Sequence, residues 1–293
     1  MNLRQIHPGL NRREVLAAAC AAAGTIALGR FAPARERSSN DGDGPYDPFK
    51  MGLQSYSLRG YTKDGRPDVQ KSLAVSKELG LHFWEAFPAH LPMNLSAEAL
   101  DSLKREFQDA DVKVIGYGVV HLSKDQDANR RIFDFAKTMG LEYLSADPDP
   151  SAFDVVDRLV EDYGIAVGIH NHGPGHRYDK IETIAKAIKD HHARIGCCID
   201  TGHFLRSRED PVHAVEVFGA RIYGVHLKDV KDAERFTVLG RGDLRTVDLL
   251  KALLERKYSY CLALEYEENP ADPLADIKAC LAEAKSAIAA AKA

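Results

Sequence analysis

The sequence predicts a single (β/α)8 barrel of the TIM type, preceded by an export signal and a short linker. Three observations support this fold class. Eight apolar runs of strand length alternate with amphipathic runs of helix length. Most of the strand-like runs begin about 30 residues apart, which is the size of one βα unit. A chain of 293 residues is also long enough to form such a barrel as one domain.

The apolar runs place the eight strands in order along the chain. The predicted strands cover residues 51–57, 82–87, 112–120, 142–146, 165–171, 195–200, 221–227 and 261–267. Ser96 is positioned as the N-cap of one intervening helix, and Gly140 as the stop after another. An open doubly wound sheet is the alternative, but it usually shows a glycine-rich turn after its first strand, and residues 58–67 do not form that motif.

Residues 1–34 do not resemble the rest of the chain. Arg12 and Arg13 precede the uncharged stretch 15–29, which is short for a transmembrane span, and Ala32-Pro33-Ala34 offers a cleavage site. This arrangement resembles a twin-arginine signal and predicts an exported, periplasmic protein without a transmembrane segment. The alternative is an amphipathic or disordered N-terminus in a cytoplasmic protein. We expect residues 35–48 to be a linker and residues 49–293 to form the catalytic barrel.

Charge and cysteine content exclude some classes of function. The formal net charge is −4, and residues 1–34 hold four arginines against one glutamate, so the barrel itself is more acidic than the whole chain. An acidic domain without a basic run is a poor nucleic-acid binder. The five cysteines include no C-x-x-C pair, so we expect neither a disulfide framework nor a thiolate metal site.

Polar side chains collect where the predicted strands end. In a barrel of this type these carboxyl ends form one rim, and the rim carries the active site. From the second strand to the eighth, the rim residues are Glu85 and His90, Tyr117 and His121, Asp147, His170 and His172, Asp200 and His203, His226 with Lys228 and Asp229, and Glu265 with Glu267.

Asp200, His226 and Glu265 form the strongest group within this set. They end three consecutive strands, so their side chains should converge. Two carboxylates and an imidazole suit one divalent ion of the Mn²⁺, Mg²⁺, Co²⁺ or Zn²⁺ kind. His170 ends the preceding strand and is the predicted fourth ligand. His170 and His172 lie on one face of their strand, because residues two apart point the same way.

Three motifs carry a resemblance to a known family. The stretches IDTGHF (199–204), VHLKD (225–229) and ALEYE (263–267) resemble the last three strands of the xylose-isomerase-like TIM barrels, particularly the sugar phosphate isomerase/epimerase group. The resemblance covers roughly residues 51–285. It implies that Asp200, His226 and Glu265 bind the metal and that His203 touches the substrate. The family's fifth-strand ligand is normally a glutamate, and His170 stands at that position.

The resemblance implies a sugar isomerase or epimerase that abstracts a proton next to the carbonyl of a keto-sugar. Glu265 would take the proton, and His170, His172 or Lys228 would serve as the second acid–base group. Glu85, His90 and His121 would line the sugar site together with His203. Because His170 replaces a glutamate, epimerisation by two glutamates is in doubt.

Other functions remain open at this level. The first alternative is a lyase, dehydratase or hydratase acting on a keto-sugar or 3-keto-glycoside, as inosose dehydratases do. A non-catalytic sugar-binding barrel is a further alternative, and an apurinic endonuclease is disfavoured by the acidic charge. The sequence identifies neither the sugar nor the metal, and it leaves a homo-oligomer possible.

Overall fold

The computed structural model describes residues 44–293. The predicted export signal and residues 35–43 of the predicted linker lie outside the described residues. Residues 44–48 lead directly into the first strand of the barrel.

Eight parallel strands form a closed barrel, as predicted. Each strand pairs with its neighbours in chain order, and the eighth pairs with the first, which closes the sheet. The strands are β1 (Lys50–Gln54), β2 (Phe83–Ala86), β3 (Lys113–Leu122), β4 (Tyr143–Pro148), β5 (Ala166–His170), β6 (Ile195–Asp200), β7 (Ile222–Leu227) and β8 (Cys261–Leu264).

Eight principal helices surround the strands. They are α1 (Val69–Glu78), α2 (Ala97–Asp109), α3 (Gln126–Met139), α4 (Phe153–Tyr163), α5 (Ile181–Ile188), α6 (Pro211–Phe218), α7 (Thr246–Glu255) and α8 (Leu274–Lys292). A short helix, Thr201–Arg206, follows β6, and an antiparallel ribbon, Asp229–Lys231 with Arg235–Thr237, follows β7. None of the helices within residues 44–293 is long and apolar enough to cross a membrane.

The helix signals identified in the sequence are confirmed. The Ser96 hydroxyl accepts a hydrogen bond from the Ala99 amide at 3.3 Å and caps α2. Gly140 ends α3 with a φ of 67°, a left-handed conformation that glycine adopts without a side-chain clash. The apolar faces of the helices then pack onto the outer face of the barrel and form the main hydrophobic core.

Two strands end three residues earlier than predicted. β1 stops at Gln54 because the Gln54 side chain accepts from the Tyr56 amide at 3.1 Å and starts a 3-10 turn. β8 stops at Leu264, so Glu265 lies in the loop just beyond the strand. Conversely, β3 continues to Leu122, two residues past its predicted end.

A second apolar cluster fills the interior of the barrel near the beginnings of the strands. Its members are Phe83, Ile115, Tyr143, Ala166, Tyr223, Cys261 and Ala263. Gly116 makes room for this cluster, since a Cβ there would lie 2.3 Å from Cζ of the Tyr143 ring. The interior is therefore packed at the amino ends of the strands, and space remains at their carboxyl ends. The four cysteines among the described residues are buried thiols without disulfides.

Candidate active site

The structure brings the four predicted metal ligands together. His170 and Asp200 are the last residues of β5 and β6, His226 lies next to the end of β7, and Glu265 directly follows β8. One ligand atom from each residue lies within 4.8 Å of those of the others. The four side chains are between 0% and 8% exposed, so the cluster is shielded from bulk water.

The distances leave a shared space between these atoms. His226 Nδ1 lies 3.0 Å from His170 Nε2, 3.0 Å from Glu265 Oε2 and 3.6 Å from Asp200 Oδ2. Within residues 44–293, neither carboxylate oxygen accepts a hydrogen bond of normal geometry, although both are buried. Buried carboxylate oxygens are costly unless a cation meets them, and Lys228 Nζ lies 2.9 Å from each. The two imidazole nitrogens that share their space are additional donors for a metal ion. The donor set therefore fits one divalent ion.

Glu85 orients His226 from below. Its carboxylate lies 2.8 Å from His226 Nε2, so Nε2–H donates to Glu85 and Nδ1 is left to face the ligand cluster. Glu85 itself accepts hydrogen bonds from Gln54 at 3.0 Å, Tyr143 at 2.6 Å and Ser145 at 2.5 Å. Burial raises the pKa of the Glu85 carboxyl, but His226 and the hydrogen bonds from Ser145 and Tyr143 have a larger opposite effect, so the pKa is lowered overall.

Asp200 is oriented in a similar way. One carboxylate oxygen, Oδ1, accepts from the His203 amide at 2.8 Å and caps the short helix, which leaves Oδ2 for the cluster. The Asn171 side chain exchanges two hydrogen bonds with the Asp200 backbone, at 2.7 and 2.9 Å. These bonds fasten the end of β5 to the end of β6. This role of Asn171 was not predicted from the sequence, although its place between two rim histidines could have suggested it.

Lys228 supplies a buried positive charge beside the cluster. Its Nζ lies 2.9 Å from Asp200 Oδ2, 2.9 Å from Glu265 Oε2 and 2.5 Å from Glu267 Oε1. Burial lowers the pKa of Lys228, but the three carboxylates raise it above its ordinary value. For Glu265 the effects are reversed: burial raises the pKa of the carboxyl, but Lys228 and His226 lower it to about 2. The lysine therefore stays protonated and Glu265 stays ionised near neutral pH.

The cluster forms the floor of a cavity of about 300 Å³ at the carboxyl ends of the strands. Two further predicted site residues, His172 and His203, line it. The complete lining is Gln54, Tyr56, Phe87, Gly118, Val119, His170, His172, His203, His226, Lys228, Glu265 and Glu267. Burial, followed by the neighbouring histidines, lowers the pKa of His172 to about 3. Burial lowers the pKa of His203 to about 4 against the opposing effect of the Asp200 charge. Both imidazoles are therefore neutral near neutral pH and can accept or donate hydrogen bonds.

Three residues predicted to line the sugar site lie outside this lining. Glu85 is fully buried beneath His226. His90 is also fully buried, because its loop folds back so that Nδ1 meets the Ser55 hydroxyl at 2.9 Å. The side chain of His121 is 61% exposed near Asp149, because β3 extends past the rim. Four lining residues were not predicted from the sequence, because they carry no charge that indicates a site: Gln54, Phe87, Gly118 and Val119.

Comparison with known proteins agrees with this architecture. A family model described as a xylose isomerase-like TIM barrel matches residues 73–284. An inosose dehydratase of Clostridium beijerinckii is 29% identical over 255 residues, which cover 78% of this chain and 85% of the relative.

Two solved structures share the fold at lower identity. A structure of L-ribulose 3-epimerase superimposes with a TM-score of 0.64 at 15% identity, covering 83% of this chain and 95% of that one. A structure of the IolI protein with a zinc atom superimposes with a TM-score of 0.61 at 19% identity, covering 83% and 95%. Together with the matched family model, the closed barrel and the convergent rim residues show that the chain belongs to the xylose isomerase-like TIM barrel family.

Proposed function

We propose that this protein is a divalent-metal-dependent enzyme that removes a proton next to the carbonyl of a keto-sugar. The observation that carries the proposal is the buried meeting of His170, Asp200, His226 and Glu265 on the floor of a cavity, with Lys228 beside them. Two imidazole nitrogens in the ligand set favour Mn²⁺, Co²⁺ or Zn²⁺ over Mg²⁺. Bound there, the ion would supply Lewis-acid polarisation of the substrate carbonyl.

The protein's own groups account for the proton transfers. Glu265 is ionised and can accept the proton from carbon through the carboxylate oxygen that is not turned toward the cluster. Lys228 is protonated, lies 2.9 Å from Glu265 and can donate to an oxygen that gains charge during the reaction. Neutral His172 and His203 complete the polar wall that orients the sugar hydroxyls.

Among the possible outcomes, we favour elimination of water or an alcohol. Glu265 takes the proton from carbon, the C–H electron pair forms a C=C bond, and the C–O bond on the next carbon breaks. The departing oxygen takes a proton from Lys228 and leaves as water or an alcohol. This scheme needs one carboxylate base and one acid, which is what the site offers, since His170 occupies the fifth-strand position. The inosose dehydratase relative supports the same outcome.

Isomerisation or epimerisation is the second candidate. It needs a group that returns a proton to carbon, and Glu265 can give back the proton that it has taken. The product would then have the same mass as the substrate, whereas elimination releases water or an aglycone. Product mass therefore separates the two candidates.

One experiment tests the shared step. The metal-replete protein would be incubated in D₂O with a panel of ketoses and 3-keto-glycosides, with Glu265→Gln and the exposed-site control Glu268→Gln alongside. We expect deuterium at the carbon next to the carbonyl, or loss of a leaving group, for the native protein and Glu268→Gln only. If the protein binds sugar equally well with and without a chelator, and shows neither deuterium exchange nor turnover, it is instead a non-catalytic sugar-binding barrel.

We also propose that residues 1–34 direct export, on the basis of Arg12-Arg13 and the apolar stretch that follows. Replacing both arginines by lysine in the full chain should keep the protein inside the cell, while the native chain reaches the periplasm and loses its first segment. Equal distribution of the two proteins between cell fractions would contradict export through this signal.

A further inference from the structure

Arg206, the last residue of the short helix, lies behind the cavity-lining His203 and has neighbours on three sides. One guanidinium nitrogen donates to His203 Nδ1 at 3.4 Å. The guanidinium carbon lies 5.1 Å from the centre of the Phe236 ring, within the range of a cation–π contact. On the third side is Gly173, where an added Cβ would come within 3.1 Å of the guanidinium. The group is therefore fixed in position before any ligand arrives.

The ribbon that carries Phe236 is itself anchored. The Asp229 carboxylate is 1% exposed and accepts hydrogen bonds from four backbone amides of the same loop, at 2.8 to 3.0 Å. These amides belong to Val230, Gly240, Gly242 and Leu244. A buried carboxylate with four donors holds the loop in one conformation, so the Phe236 ring forms a stable support for Arg206.

Arg206 differs from Lys228 and Arg59 in having no oxygen acceptor among residues 44–293. Lys228 meets three carboxylates, and Arg59 donates to the backbone oxygens of Glu267 and Tyr56. Within residues 44–293, no carboxylate oxygen lies within 4.0 Å of Arg206, and its one hydrogen bond goes to His203. A half-buried, immobilised guanidinium keeps most of its five N–H groups available for a planar anion.

We propose that Arg206 binds an anionic group of the substrate, a carboxylate or a phosphate, at the end of the molecule away from the metal ligands. This inference rests on the proposed function for the sugar part of the ligand, and it narrows the substrate class to acidic or phosphorylated keto-sugars. It also gives His203 a defined tautomer. Because Nδ1 accepts from Arg206, Nε2 carries the proton and donates into the cavity.

The anion site can be tested without turnover. In ¹⁵N-labelled full-length protein, the Arg206 Nε–H signal is assigned by its loss in Arg206→Gln and followed during titration with inorganic phosphate and with acetate. Arg208 is the matched control, since it is exposed and, like Arg206, has no carboxylate partner within the described barrel. We expect a saturable shift of Arg206 with at least one anion and none for Arg208. Equal shifts of both arginines, or a shift of neither, would overturn the proposal.

Matched sugars then identify the source of the anion. Binding of glucose, glucuronate and glucose 6-phosphate is compared in the native protein, Arg206→Gln and Arg206→Lys. We expect one acidic sugar to bind at least about tenfold more tightly than glucose, as one charge-assisted hydrogen bond contributes. Arg206→Gln should remove this preference, and Arg206→Lys should keep part of it. A preference unchanged in Arg206→Gln, or no preference for any acidic sugar, counts against the proposal.

The two tests separate this inference from the proposed function. Anion binding at Arg206 does not require metal or catalysis, so a protein that shows no proton exchange could still show the saturable Arg206 shift. Conversely, if the enzyme is active but neither anion shifts the Arg206 signal, the proposed function stands and the anion site is refuted.

Discussion

The two halves of the cavity differ in chemistry. The half built from β5 to β8 supplies every charged group that lines it, including the ligand cluster and Lys228. The half built from β1 to β3 supplies an amide, two aromatic rings and a stretch of backbone, at Gln54, Tyr56, Phe87 and Gly118–Val119. Tyr56 and Phe87 meet edge to face, with ring centres 4.9 Å apart. The first half gives the cavity an uncharged wall, and the second half supplies all of its titratable lining groups apart from Tyr56.

Glu85 links the two halves. It belongs to β2, yet its carboxylate reaches across the barrel interior to His226. The charged group of the first half, the Glu85 carboxylate, therefore contacts His226 in the second half and does not line the cavity. We expect it to affect the substrate only through His226. The effect of a substitution on activity should therefore depend on which half carries the residue and on how far it lies from the ligand cluster.

The largest effect is expected for Glu265→Gln, in the second half. The amide cannot accept the proton from carbon and is a weaker metal ligand, so kcat/KM should fall by about 1,000-fold or more. Proton exchange in D₂O should fall in parallel. The exposed Glu268→Gln controls for a general effect of the substitution. Loss of less than about tenfold would mean that another group is the base.

Glu85→Gln, in the first half, should have an intermediate effect through His226. If His226 binds the proposed metal, removing the hydrogen-bonded carboxylate behind it should lower metal affinity by about 10–100-fold, as such removals typically do. Titration of the metal-free protein with Mn²⁺ or Zn²⁺ measures this change, and excess metal should restore most of the turnover. If activity is lost while metal affinity is unchanged, Glu85 acts on the substrate and the division between the halves fails.

Acidification should also affect the charged half. The pKa of Glu265 is about 2 in the folded protein against an ordinary value of 4.5, because Lys228 and His226 overcome the opposing effect of burial. The unfolded chain binds a proton at higher pH, so this stabilisation is present above 4.5 and is lost as the pH falls toward 2. The unfolding free energy of metal-free Glu265→Gln should therefore fall less steeply across this window than that of the native protein. Parallel curves would contradict the ion pair.

The same division separates what the sequence could predict from what it could not. The barrel, the helix caps and the convergence of Asp200, His226 and Glu265 followed from apolar periodicity and from strand ends. This convergence was predictable because each of the three residues lies at or next to the end of its strand. The pairing of neighbouring strands also sets them at the same height in the barrel, as Asp200 opposite His226 shows.

In the first half, the height of a residue along the barrel axis decides whether its side chain lines the cavity. The amino-acid composition around a residue does not reveal this height. Glu85 pairs with Gln54 one layer below the ligands, so its carboxylate is covered. A bulge in β3 puts both Gly118 and Val119 into the cavity wall, where a Cβ on Gly118 would meet the Ser145 hydroxyl at 2.1 Å. Strand registers and bulges depend on packing between distant segments, so the short sequence around each residue does not specify them.

His121→Ala provides the test with the smallest expected effect. β3 is ten residues long and β2 only four, so the longer strand carries His121 beyond the rim, where its ring is largely exposed and touches Asp147 and Asp149. Exposed contacts of this kind contribute little, so kcat/KM should change by less than about twofold.

His172→Ala is the matched comparison, because His172 also follows the end of a strand but lines the cavity. Removing its neutral imidazole should cost about tenfold or more in kcat/KM, since the wall loses a group that meets the substrate. Equal effects of the two alanine substitutions would show that substrate reaches past the rim to β3. In that case His121 would contribute a polar contact from the first half of the barrel, and the 300 Å³ cavity would be the inner part of a larger substrate site.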